Sequence, residues 1–312
     1  MRIKRQLDDP RTLGEPAKGA VIFVFGMVGP QVTAIPGPLL VGTLGALGFA
    51  EPTARATILR MRRDGRLRST RRGPVVEYEL TPASRALSAE VLRPVMGEPP
   101  AWDGVYRTLL FSVPESARRY RDALRRAAVL AGFGTLQPGV FIAAEERRWA
   151  RLEPVLGAAP EGSRLVRGEL RLTASDARAV AAGAWPLSDL GRRYRAHVAA
   201  LERILATVRA APPAGAAAVR QLWDAMAPLF ATAAEDPALP PELLPDDWPA
   251  TATREAVVAL SMVLVPAVRA YLADTSTVDH VRSGALGIDV SHGLPGDSAA
   301  ALAAAHMRSA RR

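Results

Sequence analysis

Cysteine is absent from the 312 residues, so no disulfide, thiolate zinc site or cysteine nucleophile is available. Histidine is nearly as scarce: His280, His292 and His306 fall in a C-terminal stretch without periodicity, and His197 stands alone in a helical pattern that calls for packing. A metal centre or a His-based triad therefore lacks its residues, and no metal or other cofactor is expected. Lysine is confined to Lys4 and Lys18, so the positive charge is carried by arginine. The uncharged stretch 20–50 is broken by Gly29-Pro30-Gln31 and again by Pro36-Gly37-Pro38, whereas a membrane span needs about 20 continuous apolar residues. Asp8, Asp9 and Glu15 do not suit a signal peptide. The stretch reads as two short buried helices, which predicts a cytoplasmic protein with no membrane partner.

What is present is arginine in one place. Residues 55–72, RATILRMRRDGRLRSTRR, hold eight arginines against a single acid, Asp64, in a chain of net charge +9. A Gly73-Pro74 turn follows, then the alternating run Val75-Val76-Glu77-Tyr78-Glu79-Leu80. Apolar helices, a basic helix and a two-stranded ribbon, in that order, predict a winged helix-turn-helix bound to double-stranded DNA. The basic helix is expected to begin near Pro52 and end before Gly65, with Ala54, Ile58 and Met61 as its inward stripe. A helix wanting only solubility would mix Glu with Arg at i,i+4; this segment reads as one that does not. Thr53, Arg55 and Arg60 are the candidates for base edges, and Arg62, Arg63, Arg68, Arg71 and Arg72 for phosphates, with 71–74 as the wing tip. Gly42, Gly45 and Gly48 lack the neighbours of a phosphate loop and are expected to permit close helix packing.

With 49% hydrophobic residues, the length accommodates two or three domains. Residues 1–18 read as a flexible basic arm and 19–96 as the winged helix-turn-helix, closing with a helix from Thr81-Pro82 to Met96 that could be a dimer seam or a spacer. After Gly97-Glu98-Pro99-Pro100, strands at 105–113, 138–142 and 164–172 alternate with helices at 114–130 and 145–156. That alternation predicts an α+β domain of ferredoxin-like kind over 97–175. Helical patterns at 185–205, 219–234 and 254–272 make a C-terminal domain over 176–275, and 276–312 reads as a disordered tail.

Four blocks resemble a known family: AWDGVYRTLLFSVPE (101–115), GFGTLQPGVFIA (132–143), WPLSDLGRRYRAHV (185–198) and DPALPPELLPDDWP (236–249). The last is the most specific. Together with Arg55-x-x-Ile58-x-Arg60-Met61-x-x-x-Gly65-x-Leu67, they resemble the PaaX-like transcriptional regulators over about residues 19–272. The resemblance implies a winged helix, a central ferredoxin-like domain similar to the Cas2 proteins, and a helical C-terminal part. It further implies a homodimeric repressor of a catabolic or biosynthetic operon, released by a small-molecule effector such as an acyl- or aryl-CoA thioester.

Other constellations carry less. Glu145-Glu146 and Asp246-Asp247 are adjacent pairs whose side chains diverge, so they read as surface charge or capping and not as catalytic dyads. Asp103 lacks a second acid with which to hold a metal. Trp102, Trp185, Trp223 and Trp248 read as core or interface anchors. The competing function is an enzyme acting on nucleic acid or CoA esters, with the basic helix as its docking surface. It would need a metal or nucleophile that the chain does not visibly supply, so the protein reads as a non-enzyme. The effector is expected beyond Gly97, with Arg107, Arg118, Arg119 and Arg193 undistinguished from solvated surface.

Overall fold

The computed structural model describes residues 16–28 and 34–275, so the expected arm over 1–15 and tail over 276–312 lie outside the described residues. The described chain forms two compact units, and it passes from one to the other within helices. One comprises 16–28, 34–89, His197–Ala231 and 251–275; the other comprises Glu90–Ala196 and Thr232–Ala250.

The first unit opens with α1 (Pro16–Val28), a two-residue strand β1 (Ile35–Pro36), α2 (Gly37–Ala46) and α3 (Glu51–Arg63). Helix α1 thus starts inside the segment expected to be an arm, because Ala20, Val21 and Val24 supply a fully buried face. Close packing does not explain Gly42 or Gly45, since a Cβ at either would meet open space. Gly48 is required: its φ is +90°, and a Cβ there would collide with Arg220. Helix α3 carries Pro52 in its first turn and buries Ala54, Thr57, Ile58 and Met61. Gly65, at φ +72°, ends it, and the Arg66 N–H donates to the Met61 carbonyl at 2.8 Å.

Strands β2 (Leu67–Arg72) and β3 (Val75–Leu80) pair antiparallel, with β1 added on the far side of β3. The hairpin turn is Gly73-Pro74 alone, and Arg71 and Arg72 belong to the strand, opposite Val76 and Val75. Arg66 is buried directly ahead of the ribbon. The Thr81 hydroxyl donates to the Gly65 carbonyl at 3.0 Å and the Thr81 N–H to the Arg66 carbonyl, which ties the base of the ribbon to the end of α3.

The core of this unit is completed from far along the chain. Trp223 of α9 (Gly215–Ala233) lies 5.2 Å from Phe23 and 6.3 Å from Phe49, ring centre to ring centre. Helix α10 (Ala250–Thr275), far along the chain from the uncharged stretch 20–50, is long and apolar enough to cross a membrane. It buries Thr253, Ala256, Val257, Leu260, Leu264, Val268 and Leu272 along one face.

The second unit holds the expected mixed architecture. Helix α4 (Pro82–Met96) enters it at Glu90, and β4 (Val105–Ser112), α5 (Arg118–Leu130), β5 (Gly134–Gln137), β6 (Val140–Ala143), α6 (Trp149–Leu156) and β7 (Arg164–Arg171) follow. The sheet is antiparallel in the order β5-β6-β4-β7, the βαββαβ arrangement of ferredoxin-like domains. The sequence pattern predicts one strand where the structure has the β5–β6 hairpin. Helices α5 and α6 cover one face with Leu124, Leu152 and Trp149 against Leu109 and Phe141. On the other face, Tyr106 and Ile142 meet Ala177 and Ala181 of α7 (Ala174–Ala184), then Trp185, Leu239 and Leu243. Trp185-Pro186 separates α7 from α8 (Leu187–Ala210), so the helix expected from Trp185 begins two residues later.

Candidate nucleic-acid interface

The residues singled out for DNA lie on one helix and one ribbon of the first unit. Thr53, Arg55, Arg60, Arg62 and Arg63 all fall outside the buried stripe of α3 and are exposed. Arg68, Arg71 and Arg72 are exposed on β2. The expectation that α3 forgoes acidic pairs is corrected at one position. The helix starts at Glu51, one residue before Pro52, and Glu51 pairs with Arg55 at 2.7 Å across i,i+4. Arg60, Arg62 and Arg63 have no acidic partner among the described residues. On β2, Arg72 sits 3.0 Å from Glu77, whose side chain is 1% exposed, while Arg68 is 4.0 Å from Glu79. Arg71 donates to the Gly73 carbonyl at 3.2 Å and so helps to shape the turn. Leu59, 52% exposed on α3 between Arg55 and Arg63, was not singled out in the sequence. Its signal was its place one turn from Arg55, off the inward stripe. An exposed leucine there suits a thymine methyl as well as solvent.

The second unit contains a charge cluster that sequence reasoning missed. Glu145 and Glu90 lie among Arg93, Arg147 and Arg148: Arg93 reaches Glu145 at 2.8 Å, and Arg148 reaches both acids at 2.9 Å. Arg147 bridges the same two acids at 2.6 and 2.7 Å. Burial raises the Glu145 carboxyl, but the Arg147 hydrogen bond and the Arg148 and Arg93 charges outweigh it and hold it at about 2. Glu90 is lowered in the same way. The Arg148 side chain is 7% exposed and also donates to the Pro237 carbonyl at 2.7 Å. Glu145 is thus a half-buried acid held by three arginines and not the free surface charge expected of it, and the adjacency that ruled out a dyad gave no hint of its partners. Asp247 pairs with Arg195 and Asp246 with Arg178, both exposed. Asp103 is bound by Arg107, which also holds Glu146. Among the described residues no cluster of His, Asp and Glu could hold a metal ion.

Three family models match the chain: "PaaX-like protein" at residues 17–84, "PaaX protein central Cas2-like domain" at 99–154 and "PaaX-like protein C-terminal domain" at 185–274. The chain belongs to the PaaX-like family. It is similar to the transcriptional repressor PaaX of Escherichia coli K12, 24% identical over 272 residues that cover 83% of this chain and 84% of that protein. A solved structure of an uncharacterized protein from Mycobacterium tuberculosis is 23% identical, with a TM-score of 0.49, and covers 81% of this chain and 98% of that one.

Proposed function

We propose that the chain is a sequence-specific DNA-binding repressor, cytoplasmic and homodimeric, whose grip on its operator is relieved by a small-molecule effector. In this reading residues 19–96 form a winged helix-turn-helix, α3 enters the major groove and β2–β3 is the wing. The observation that carries it is the row Arg60, Arg62 and Arg63, exposed on α3 without acidic partners. Unpaired like charges along a helix repel one another, and an anionic duplex relieves that repulsion. Thr53, Arg55 and Arg60 read base edges. Arg62, Arg63, Arg68, Arg71 and Arg72 hold phosphates, with Arg72 weakened by Glu77. Kinship with a protein named as a transcriptional repressor supports the same reading. Its domain division places the Cas2-like part at 97–175 and the helical part at 176–275, with the effector bound beyond Gly97.

A mobility-shift assay on the DNA upstream of the chain's own coding sequence tests this. The expected result is a strong shift of that fragment over random DNA, reversed by acyl-CoA esters or by their free acids. Equal shifts of both DNAs would overturn sequence-specific binding.

A further inference from the structure

In the second unit, the arginines that hold no acid gather on one helix. Most of the unit's arginines are paired: Arg93, Arg107, Arg147, Arg148, Arg193 and Arg195, among others, each hold a carboxylate. Arg118, Arg119, Arg125 and Arg126 of α5 are exposed and have neither an ion-pair nor a hydrogen-bond partner among the described residues. Elsewhere in the unit, Arg151 and Arg164 alone lack an acidic partner among the described residues. Of the arginines that the sequence left undistinguished from solvated surface, Arg107 and Arg193 thus hold acids, whereas Arg118 and Arg119 hold none. Tyr120, Leu124, Ala127 and Ala128 turn the apolar side of α5 into the core, so the four arginines face away from it. Residues seven apart share a helix face, which sets Arg118 with Arg125 and Arg119 with Arg126 in two rows, each about 10 Å long. Asp122 lies between the rows and pairs with neither, and Arg121 on the flank is taken by Glu115 at 2.8 Å.

Like charges crowded on one helix face repel one another, and an anionic partner relieves that repulsion. A protein partner seats on aromatic or apolar anchors, and this face offers only Val129, 50% exposed, among its charges. A helix lying on a membrane inserts its apolar side, which α5 buries in its own unit. Guanidinium forks match phosphate oxygens, and about 10 Å of duplex carries about six backbone charges. We propose that the exposed face of α5 is a second DNA-contacting surface, on which Arg118, Arg119, Arg125 and Arg126 hold backbone phosphates without reading sequence. The inference goes beyond the function proposed above, which gives DNA to α3 and the ribbon, and rests on that reading for the identity of the polyanion as duplex DNA. The Cas2-like unit then adds affinity and salt dependence, and leaves discrimination to α3.

Fluorescence anisotropy of the full chain on two labelled duplexes, the fragment upstream of its coding sequence and a random one of equal length, tests this between about 50 and 200 mM salt. The variants Arg118→Gln/Arg125→Gln and Arg119→Gln/Arg126→Gln are compared with Arg171→Gln/Arg192→Gln, which removes the same charge from paired positions of the same unit. Each α5 variant is expected to flatten the log–log salt slope by about two units on both DNAs, at about 0.9 for each phosphate released, and to weaken both by at least about tenfold. The preference for the upstream fragment and the slope of the control should stay as in the parent. Asp122→Asn, which removes the acid between the rows, should tighten binding to both DNAs. An unchanged slope in both α5 variants, or an equal loss in the control, overturns the proposal. Loss of binding to phosphatidylserine vesicles with the DNA slope intact would give the face to a membrane and overturns it too. Equal binding of both DNAs by the parent, with flattened slopes in the α5 variants, leaves the proposal standing and overturns sequence-specific readout alone.

Discussion

Replacing Glu145 by glutamine asks whether the buried charge cluster holds the Cas2-like unit together. The Glu145 side chain is 14% exposed and accepts from Arg93, Arg147 and Arg148. Burial works against its charge, yet the three guanidinium groups hold its carboxyl at about 2, against an ordinary 4.5. At about 1.4 kcal/mol for each tenfold change in proton affinity, a fall from 4.5 to about 2 contributes about 3 kcal/mol at neutral pH. The folded-state value is the lower one, so the contribution is complete above about pH 4.5 and is lost as pH falls toward 2. At pH 3 about 1 kcal/mol of it remains. Urea unfolding followed by tryptophan fluorescence, with parent and Glu145→Gln compared at both pH values, measures the difference. The variant should be less stable by about 3 kcal/mol at pH 7 and by about 1 kcal/mol at pH 3. A deficit of the same size at both would mean that the loss comes from altered packing and not from the paired carboxylate, and the electrostatic account would fall.

Arg60→Ala should cost about 1–3 kcal/mol of discrimination between operator and random DNA in a competition assay. Arg55→Ala should cost less, because Glu51 already engages that guanidinium; equal losses on both DNAs would remove α3 from base readout. The double variant Arg71→Ala/Arg72→Ala should flatten the log–log salt dependence of binding by about one unit, at about 0.9 for each phosphate no longer neutralised. Most of that should come from Arg71, since Glu77 holds Arg72 at 3.0 Å. Gly134→Ala should lower the melting temperature by a loss of about 1–3 kcal/mol, as its Cβ would stand 2.6 Å from the Trp185 ring and 2.9 Å from the Ala184 Cβ. Ala238→Gly should instead stabilise by up to about 1 kcal/mol, because Ala238 sits at φ +52°, where a Cβ is strained.

Sequence reasoning was strongest where a single element carries its own signal. The stripe of α3 was legible because Ala54, Ile58 and Met61 repeat at helical spacing, and α4 because Pro82 opens it and Leu87 and Val91 are buried as expected. Strand β5 was not, for a physical reason. In Gly134-Thr135-Leu136-Gln137 only Gly134 is buried, so no alternation of apolar residues betrays a strand. Its extended state comes from pairing with β6 across a turn at Pro138-Gly139, where Gly139 takes φ +83°. The i,i+4 pair of α3 was missed by one residue of boundary: starting the helix at Glu51 instead of Pro52 supplies an acid one turn before Arg55.

Periodicity shows that a helix has an apolar face but not which segment covers it. Trp223 read as an anchor without a partner, and its partners are Phe23 and Phe49, some 200 and 174 residues earlier. The charge cluster is the stronger case. Arg147 and Arg148 look like two more arginines on a basic segment, and Glu90 like a solvated acid on α4. Folding brings Glu90 onto both. The block 236–249 is specific as a string, and the structure shows what its first residues hold. Asp236 accepts from the Tyr194 hydroxyl and from the Ala238 N–H, and the chain turns at Ala238 itself, a left-handed residue. Removing either the acid or the tyrosine would leave a polar group buried without its partner, which costs more than the bond contributes. Constraint of this kind is recorded in the spelling of the block, whereas the identity of the acid's partners is recorded only in three dimensions.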